Sequence, residues 1–500
     1  MLRSAKAIVA ARKNSPTRKA LQRLTTFALS LVCTALFAQS PPPLQLAQGP
    51  QSIGEVEQLR GAGFAQTQGQ PPRIMGRGLA LNEGDRLTTA DNALAIIKLK
   101  DGTKMTLRPG TELVLSQYSY RDNSDTNAMV LQLLRGGLRA LTGLISKSSP
   151  NAAKIQTSTA TIGIRGTDFD ARICKPGECA TATATPRPSA IAASARVLSQ
   201  QGQITALDEQ GQRRVLSPGA SIYPGDVVET AANAAAMLAF RDESKVNLGA
   251  STRFRVDDFA FDPADLSSSR YFMSLLRGSL RAITGAIGKS NRQNVRFTSS
   301  TATIGIRGTE LGMSCTGLCA NEPAALGSSP TDSGFSVFTF DGSVLVSLTA
   351  PGVGAPAGTA AVQPVPIELV AGRGLVFSGQ FNASGEPRVE LLTAPPVQLP
   401  ATPLQGVPIP PGTFSQTAVP DGADGLFVFV REGHIVLSTA SKQIDLGKGE
   451  TAFSDARLDV IRLPSVPSHV VNDVVPLPRA ANINIPGLRP LSNADPVCRP

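Results

Sequence analysis

Short runs of alternating apolar and polar residues recur along this chain, and turn residues separate them. In the segment 154–165, KIQTSTATIGIR, Ile alternates with Thr and other polar residues. Residues 98–107 form two shorter runs around Asp101-Gly102, where both turn positions tolerate a positive φ and so favour a hairpin. This pattern predicts an all-β fold of short strands, as in a β-roll, a short β-solenoid or a sandwich, and not a βαβ fold.

An internal repeat organises the sequence. The ten residues STATIGIRGT occupy 158–167 and recur without change at 300–309. Upstream, residues 133–147 match residues 275–289 at 11 of 15 positions, and the two matches have the same offset along the chain. The offset between the copies is 142 residues. Since solenoid repeats span only about 20–50 residues, this offset indicates a duplicated domain.

Pro-rich and Ala-rich segments separate the repeats from a short alternating stretch near the C-terminus, which predicts two strands about Glu432-Gly433 and a third strand. The sequence therefore predicts the following order: signal peptide 1–38, linker 39–52, first repeat domain 53–175, linker 176–194, second repeat domain 195–375 with its closing strands, Pro-rich linker 376–425, small β unit 426–463 and Pro-rich tail 464–500.

The N-terminus is typical of a secretory signal. Seven basic residues and no acidic residue lie in 1–38, and the apolar run 24–38 ends in Ala38 before a Pro-rich stretch. A helix of that length rises only about 22 Å, less than the ~30 Å of a membrane core. A cleaved signal peptide is therefore favoured over the alternative, a retained anchor.

Removal of this segment also changes the charge. The whole chain carries a formal net charge of +10, but 41 basic and 38 acidic residues remain after residue 38. The remainder has no stripe of Lys and Arg interleaved with aromatic residues, so nucleic-acid binding is not expected.

The cysteines agree with export. Cys174 lies close to Cys179 and Cys315 close to Cys319, which predicts one small-loop disulfide within each pair. The alternative is a zinc site made of four thiolates, although the spacing lacks a Cys-x-x-Cys motif. Cys498 in the tail has no evident partner.

The sequence offers little catalytic chemistry. It contains two histidines: His434, which we expect to be an exposed turn residue, and His469, which lies in a Pro-flanked stretch. Residues 285–290, GAIGKS, imitate the end of a phosphate-binding loop, but the required first glycine is absent. We therefore expect no enzyme activity, no catalytic residues, no bound metal and no cofactor.

Two carboxylates could also carry chemistry. Asp168 and Asp170 are spaced to share one face of a strand, as a Ca²⁺ site or an acid–base pair would require. The second repeat keeps Glu310 but has Gly312 two residues on. A solvated strand end is therefore the favoured interpretation.

Several of these elements together resemble the FecR domain. They are a Gly-Asp start at 84–85, a strand–Asp-Gly–strand unit at 99–107, Leu-x-x-Gly at 133–136 and Gly-Thr-x-Phe at 166–169. The closing strands of that family resemble Val337–Val346 with Leu369–Gly374, and again Val430–Val436 with Leu446–Glu450. The first repeat has no evident close of its own, so Val197–Thr205 is predicted to serve instead.

The resemblance implies a β-rich periplasmic fold that recognises protein or cell-wall partners. Members of the family are best known as regulators that relay a signal to a sigma factor through a cytoplasmic region and one membrane span. The apolar run here begins at Leu24, so the segment before it is too short for a folded sigma-binding domain.

We therefore expect an exported, periplasmic or secreted bacterial protein that acts as a non-catalytic binding or scaffolding module. Its expected partner is an envelope protein or a cell-wall polysaccharide, and the alternative is a membrane-anchored signalling regulator of the anti-sigma type. The candidate contact residues belong to the repeated signatures, and for the arginines a purely structural role is an equal explanation. They are Arg135, Gly136, Arg165, Gly166, Thr167, Arg277, Gly278, Arg307, Gly308 and Thr309.

Overall fold

The computed structural model describes residues 52–472, apart from 123, 125, 149–151, 180–186, 210, 307, 321–333, 350–365, 383–385, 421 and 458. The predicted signal peptide, Arg307, Cys498 and nearly all of the Pro-rich tail lie outside the described residues. Within the part of the chain that is described, no helix has the length and apolar character needed to cross a membrane.

The first repeat is built from short strands and one helical turn. Their bounds are β1 (Gly54–Arg60), β2 (Gly63–Gln66), β3 (Arg73–Ile74), β4 (Ala80–Leu81), β5 (Arg86–Thr89), β6 (Leu94–Leu99), β7 (Lys104–Leu107), β8 (Glu112–Ser119), β9 (Ala128–Arg135), β10 (Gly137–Leu141), α1 (Leu144–Ser148), β11 (Ala153–Gln156) and β12 (Thr161–Cys174).

The second repeat follows after the two-residue strand β13 (Arg187–Pro188). Its elements are β14 (Ala195–Gln201), β15 (Ile204–Leu207), β16 (Arg213–Leu216), β17 (Ser221–Ile222), β18 (Val227–Thr230), β19 (Ala235–Phe240), β20 (Lys245–Leu248), β21 (Arg253–Ala260), β22 (Arg270–Ile283), α2 (Ala286–Ser290), a 3₁₀ turn (Arg292–Asn294), β23 (Val295–Thr298), β24 (Ala302–Ile306), β25 (Glu310–Cys315), a second 3₁₀ turn (Gly317–Ala320), β26 (Phe335–Asp341), β27 (Ser343–Leu348), β28 (Ile367–Val370), β29 (Arg373–Phe381) and β30 (Pro387–Leu392).

The two repeats share one strand order. In the first, one ladder runs β1–β6–β7–β10–β12 and the other runs β2–β5–β8–β9–β11–β12. In the second, the same ladders are β14–β19–β20–β22–β25 and β15–β18–β21–β22–β23–β24. Both ladders of a repeat bury Ile, Leu, Val and Ala in one continuous core, and the two repeats have separate cores. The prediction of an all-β fold with repeated domains is confirmed.

The last strands of the chain complete the first repeat. They are β31 (Gly425–Ser438), β32 (Gln443–Leu446), β33 (Thr451–Ser454), β34 (Val460–Arg462) and β35 (Ser465–Val466), followed by α3 (Ser468–Val471). β31 pairs antiparallel with β12 along its whole length, from Thr161 opposite Ser438 to Cys174 opposite Gly425. In the second repeat, β26 and β27 pair with β25 and β24 in the same way.

The second repeat is therefore inserted into the first, and two domain boundaries and one strand assignment predicted from the sequence are wrong. Residues 426–463 form no separate unit, because most of their buried apolar side chains lie in the core of the first repeat. Val197–Thr205 opens the second repeat within β14 and β15 and does not close the first. The predicted linker at 376–425 begins with strand residues of β29 and β30. Without β31, the outer edge of β12 would leave its backbone N–H and C=O groups unpaired.

A bend at Gly433 replaces the hairpin predicted there. β31 is one strand whose register shifts opposite the segment between Arg165 and Asp168. Gly433 has a φ of +78°, and a Cβ atom at this position would lie 2.4 Å from the Gly166 carbonyl oxygen. Gly342 makes the same approach to Gly308 in the second repeat. Only glycine allows the two backbones to come this close.

Candidate functional site

Asp168 and Asp170 are buried in ion pairs and do not form a solvated strand end. Asp168 is 7% exposed and accepts two hydrogen bonds from Arg139, at 3.0 Å from Nε and 2.7 Å from Nη2. Asp170 is 2% exposed and accepts bonds from Arg108 at 2.7 Å and from Arg431 at 2.6 Å. Because arginines occupy these oxygens, the pair offers neither a Ca²⁺ site nor an acid–base couple.

The second repeat keeps one of these ion pairs. Arg281 Nε donates to Glu310 at 2.8 Å, and these two residues occupy the positions equivalent to Arg139 and Asp168. Among its described residues, the second repeat has no counterpart of the ion pairs around Asp170. The positions equivalent to Arg108, Asp170 and Arg431 are occupied by Gly249, Gly312 and Phe340. Arg139 and Arg281 lie in the repeated segment, but the sequence alone does not show which carboxylate each of them contacts.

The threonine of the repeated Gly-Thr signature binds the closing strand of each domain. The Thr167 hydroxyl donates to the His434 carbonyl at 2.6 Å, and its amide donates to the Thr142 hydroxyl at 2.7 Å. Thr309 donates to the Ser343 carbonyl at 2.9 Å. Both threonines are buried, so these signature residues contact the protein's own backbone.

Arg135 and Arg277 also contact turn backbone. Their Nε atoms donate to the carbonyls of Gly110 at 3.1 Å and Ser251 at 3.0 Å. The glycines that follow them, Gly136 and Gly278, have positive φ values. The arrangement agrees with the structural explanation for this arginine pair.

Arg165 differs from the other signature residues, because it lines a cleft between the two repeats. Two adjoining cavities of about 370 and 380 Å³ share Lys147, Arg165, Asp208, Gln212 and His434. Lys147 comes from α1, Arg165 from β12 and His434 from β31, whereas Asp208 and Gln212 lie on the β15–β16 turn. Sequence reasoning found Arg165 but missed the residues from the second repeat, because only the insertion places them opposite it.

The cleft carries charges of both signs, since Asp208 and Glu432 line it together with Lys147 and Arg165, but neither of these two cations is ion-paired to a described residue. Burial lowers the pKa of Arg165, and its Nε atom has no hydrogen-bond partner within the described part of the chain. Neither Lys147 nor Arg165 forms an ion pair with any described residue, whereas Arg213 and Arg214 at the border are paired with Glu229 and Asp226. Arginine and lysine without carboxylate partners, in a partly buried cleft, suit an anionic ligand group.

His434 is not the exposed turn residue that the sequence predicts. Its half-buried imidazole lies against Tyr223 of the second repeat, with 4.4 Å between the ring centroids. Burial, together with the charges of Arg214 and Arg165, lowers the pKa of His434 to about 3. The imidazole is therefore neutral at physiological pH and is a poor proton carrier there.

The two repeats are held together beside this cleft. The Ser221 amide of β17 donates to Asp445 of β32 at 3.1 Å. Gly447 lies so close to Tyr223 that an added Cβ atom would meet the ring at 2.4 Å. β32 and the residues after it in the first repeat thus pack against β17 and Tyr223 of the second repeat. This contact holds the two walls of the cleft in a fixed position.

A larger cavity of about 760 Å³ lies between the second repeat and residues 405–415. Lys245 anchors this segment by donating to the Leu404 and Val407 carbonyls. Thr284 and Lys289 line this cavity, and their equivalents in the first repeat, Thr142 and Lys147, line the cleft between the repeats. The residues 405–415 pack on the second repeat and do not form a free spacer.

The predicted cysteine pairs are present as disulfides, Cys174–Cys179 and Cys315–Cys319. In each pair the first cysteine is the last residue of a strand, β12 or β25, and the second lies in the turn that follows. Such disulfides are compatible with an extracytoplasmic protein.

The fold and the repeated signatures define an all-β protein made of two copies of one domain, the second inserted in the first. The family model described as "FecR protein" matches residues 85–184 and 226–344, so the chain carries two FecR-like domains. Comparison with the curated proteins and with the solved structures gave no match.

Proposed function

We propose that this chain is an exported, non-catalytic binding module of the bacterial envelope, and that the cleft between its two FecR-like domains holds an anionic group of a cell-wall polymer or an envelope protein. The observation that carries the proposal is the pair of cations, Lys147 and Arg165, that face the cleft without carboxylate partners among the described residues. A partly buried guanidinium costs free energy of desolvation, which a bound anion offsets.

The chemistry of the cleft supports binding over reaction. His434 is the imidazole that lines it, and a pKa of about 3 leaves this ring unsuited to general acid or base work near neutral pH. The carboxylate of Asp168, which also borders the cleft, accepts hydrogen bonds from two nitrogens of the Arg139 guanidinium. Carboxylate and phosphate groups, which are common on cell-wall polymers, match the fork of a free arginine.

Titration calorimetry with soluble cell-wall fragments tests this function. We expect wild-type protein to bind fragments that carry free carboxylates, and Arg165→Gln to weaken binding by about tenfold or more, as the loss of a charge-assisted hydrogen bond implies. Arg60→Gln is the matched control, because Arg60 ends β1 at the surface and does not line the cleft.

Two results would contradict the proposal in different ways. If Arg165→Gln and Arg60→Gln bind as wild type does, the cleft is not the site. If fragments are cleaved during the incubation, the protein is an enzyme and not a binding module.

A further inference from the structure

A second cluster of chemically reactive side chains lies away from the cleft, at the other end of β12. The sulfurs of Cys174 and Cys179 and a ring nitrogen of His469 all lie within 4.8 Å of one another. Their side chains are 0%, 1% and 5% exposed, respectively. Cys174 ends β12, Cys179 lies in the turn that follows, and His469 comes from α3, at the far end of the described chain.

The surrounding packing holds His469 toward the two sulfurs. Its ring meets Phe427 edge to face, with 5.4 Å between centroids. Phe427 in turn packs in one small apolar cluster with Phe453, Leu463 and the two cysteines. The three candidate ligand atoms therefore converge in a buried corner that closure of the first repeat by β31 creates.

Two cysteine sulfurs and one imidazole nitrogen form a ligand set that Zn²⁺ prefers. Zinc sites with three protein ligands keep a fourth position for water or another molecule. We infer that, when the Cys174–Cys179 disulfide is reduced, Cys174, Cys179 and His469 bind one Zn²⁺ ion. This Cys₂His corner is distinct from the proposed anion cleft and does not depend on it.

The redox step is a thiol–disulfide exchange with a dithiol. The dithiol supplies two electrons and two protons, its own sulfurs join in a disulfide, and the Cys174–Cys179 bond opens to two thiols. Zn²⁺ then displaces the two thiol protons to solvent and binds two thiolates and a neutral imidazole. Oxidation of the pair removes both thiolates, so the disulfide and the metal are alternatives at one corner.

The second repeat provides an internal comparison. Cys315 and Cys319 form the equivalent disulfide after β25, but the chain has two histidines in all, and His434 lies in the cleft. The Cys315–Cys319 pair therefore has no imidazole for a matching site. If nearby thiols alone were enough, both repeats would bind metal equally.

Cobalt titration of the reduced protein tests the inference, because Co²⁺ replaces Zn²⁺ in such sites and gives sulfur-to-metal charge-transfer bands. Every protein carries Cys33→Ser and Cys498→Ser, is reduced with dithiothreitol and is then desalted under argon. We expect one tight Co²⁺ equivalent with thiolate bands, which Zn²⁺ displaces and which the oxidised protein lacks. His469→Gln keeps the thiols and a similar volume, and we expect it to weaken binding at least tenfold.

The matched variants remove one cysteine pair each. Cys315→Ser with Cys319→Ser is expected to leave the cobalt spectrum unchanged, and Cys174→Ser with Cys179→Ser to abolish it. Circular dichroism of each reduced protein establishes that it remains folded. The inference is wrong if His469→Gln binds Co²⁺ as tightly as its parent does, or if the reduced, folded parent binds none.

Discussion

The Thr167 hydroxyl donates a 2.6 Å hydrogen bond to the His434 carbonyl across 267 residues of sequence. The same bond in the second repeat joins Thr309 to Ser343 across 34 residues. The difference is the length of the inserted repeat and its linkers. Both domains therefore contain the same hydrogen bond to the closing strand, although the sequence separation between its two residues differs greatly.

Removing this hydroxyl should destabilise the first repeat. Thr167→Val keeps the shape but leaves the His434 carbonyl without its donor, so we expect unfolding free energy to fall by about 1–2 kcal/mol. Thr309→Val should cost a similar amount in the second repeat. Thr88→Val on β5 is the control, because Thr88 is half-buried in a strand and its side chain has no hydrogen bond to any described residue. Urea denaturation measures all three, and equal midpoints for Thr167→Val and Thr88→Val would contradict this role of the hydroxyl.

The Arg139–Asp168 pair should behave as a buried ion pair. Asp168→Asn leaves the Arg139 charge buried beside a neutral amide, and we expect a loss of about 3–5 kcal/mol. Removing both charges, with Arg139→Met and Asp168→Leu, should recover much of that loss. Double-mutant denaturation gives the coupling energy. A loss below about 0.5 kcal/mol for Asp168→Asn would restore the interpretation of a solvated strand end.

His434 should make stability depend on pH. Its pKa in the folded protein is about 3, below the ordinary value of 6.5, so the unfolded chain binds the proton more readily between these values. The contribution of this residue is complete above pH 6.5 and is lost as pH falls toward 3. The ring keeps some solvent contact, so we discount the full linkage value and expect a loss of about 1 kcal/mol between pH 7 and pH 5. In His434→Gln this part of the pH dependence should vanish; an unchanged profile would show that His434 does not cause it.

The N-terminus of the protein recovered from cells distinguishes the proposed binding module from a membrane-anchored regulator. The short apolar run before Ala38 predicts cleavage, so we expect the mature chain to start near Gln39. Mass spectrometry of the protein recovered from the envelope measures this directly. An intact N-terminus in the inner-membrane fraction would instead favour the signalling regulator.

Much of the fold was visible in the sequence, because local patterns specify local structure. Alternation predicted the strands, the exact repeat of STATIGIRGT predicted the duplication, and the cysteine spacing predicted both disulfides. The sequence of Val430–Val436 also resembles a closing strand. Its assignment to a separate unit followed from the tendency of consecutive elements to be neighbours, which an inserted domain breaks.

The candidate site was less accessible to sequence reasoning for the same reason. Arg165 and Gln212 lie on different repeats and meet only because the second repeat is inserted before β31 closes the first. The burial of Asp168 and the position of His434 against Tyr223 also depend on β31. Patterns within one strand carry no information about such a distant partner.

Hydrogen exchange on a shortened chain tests the insertion most directly. A protein ending at Gln416 keeps residues 405–415 on the second repeat but lacks β31–β35 and α3, and a protein ending at Asn472 is the control. We predict that amides of β12 and β11 lose protection in the shorter protein only, whereas those of β22 and β25 stay protected in both. Unchanged protection of β12 without β31 would contradict the account, because it would show that the first repeat closes without the end of the chain.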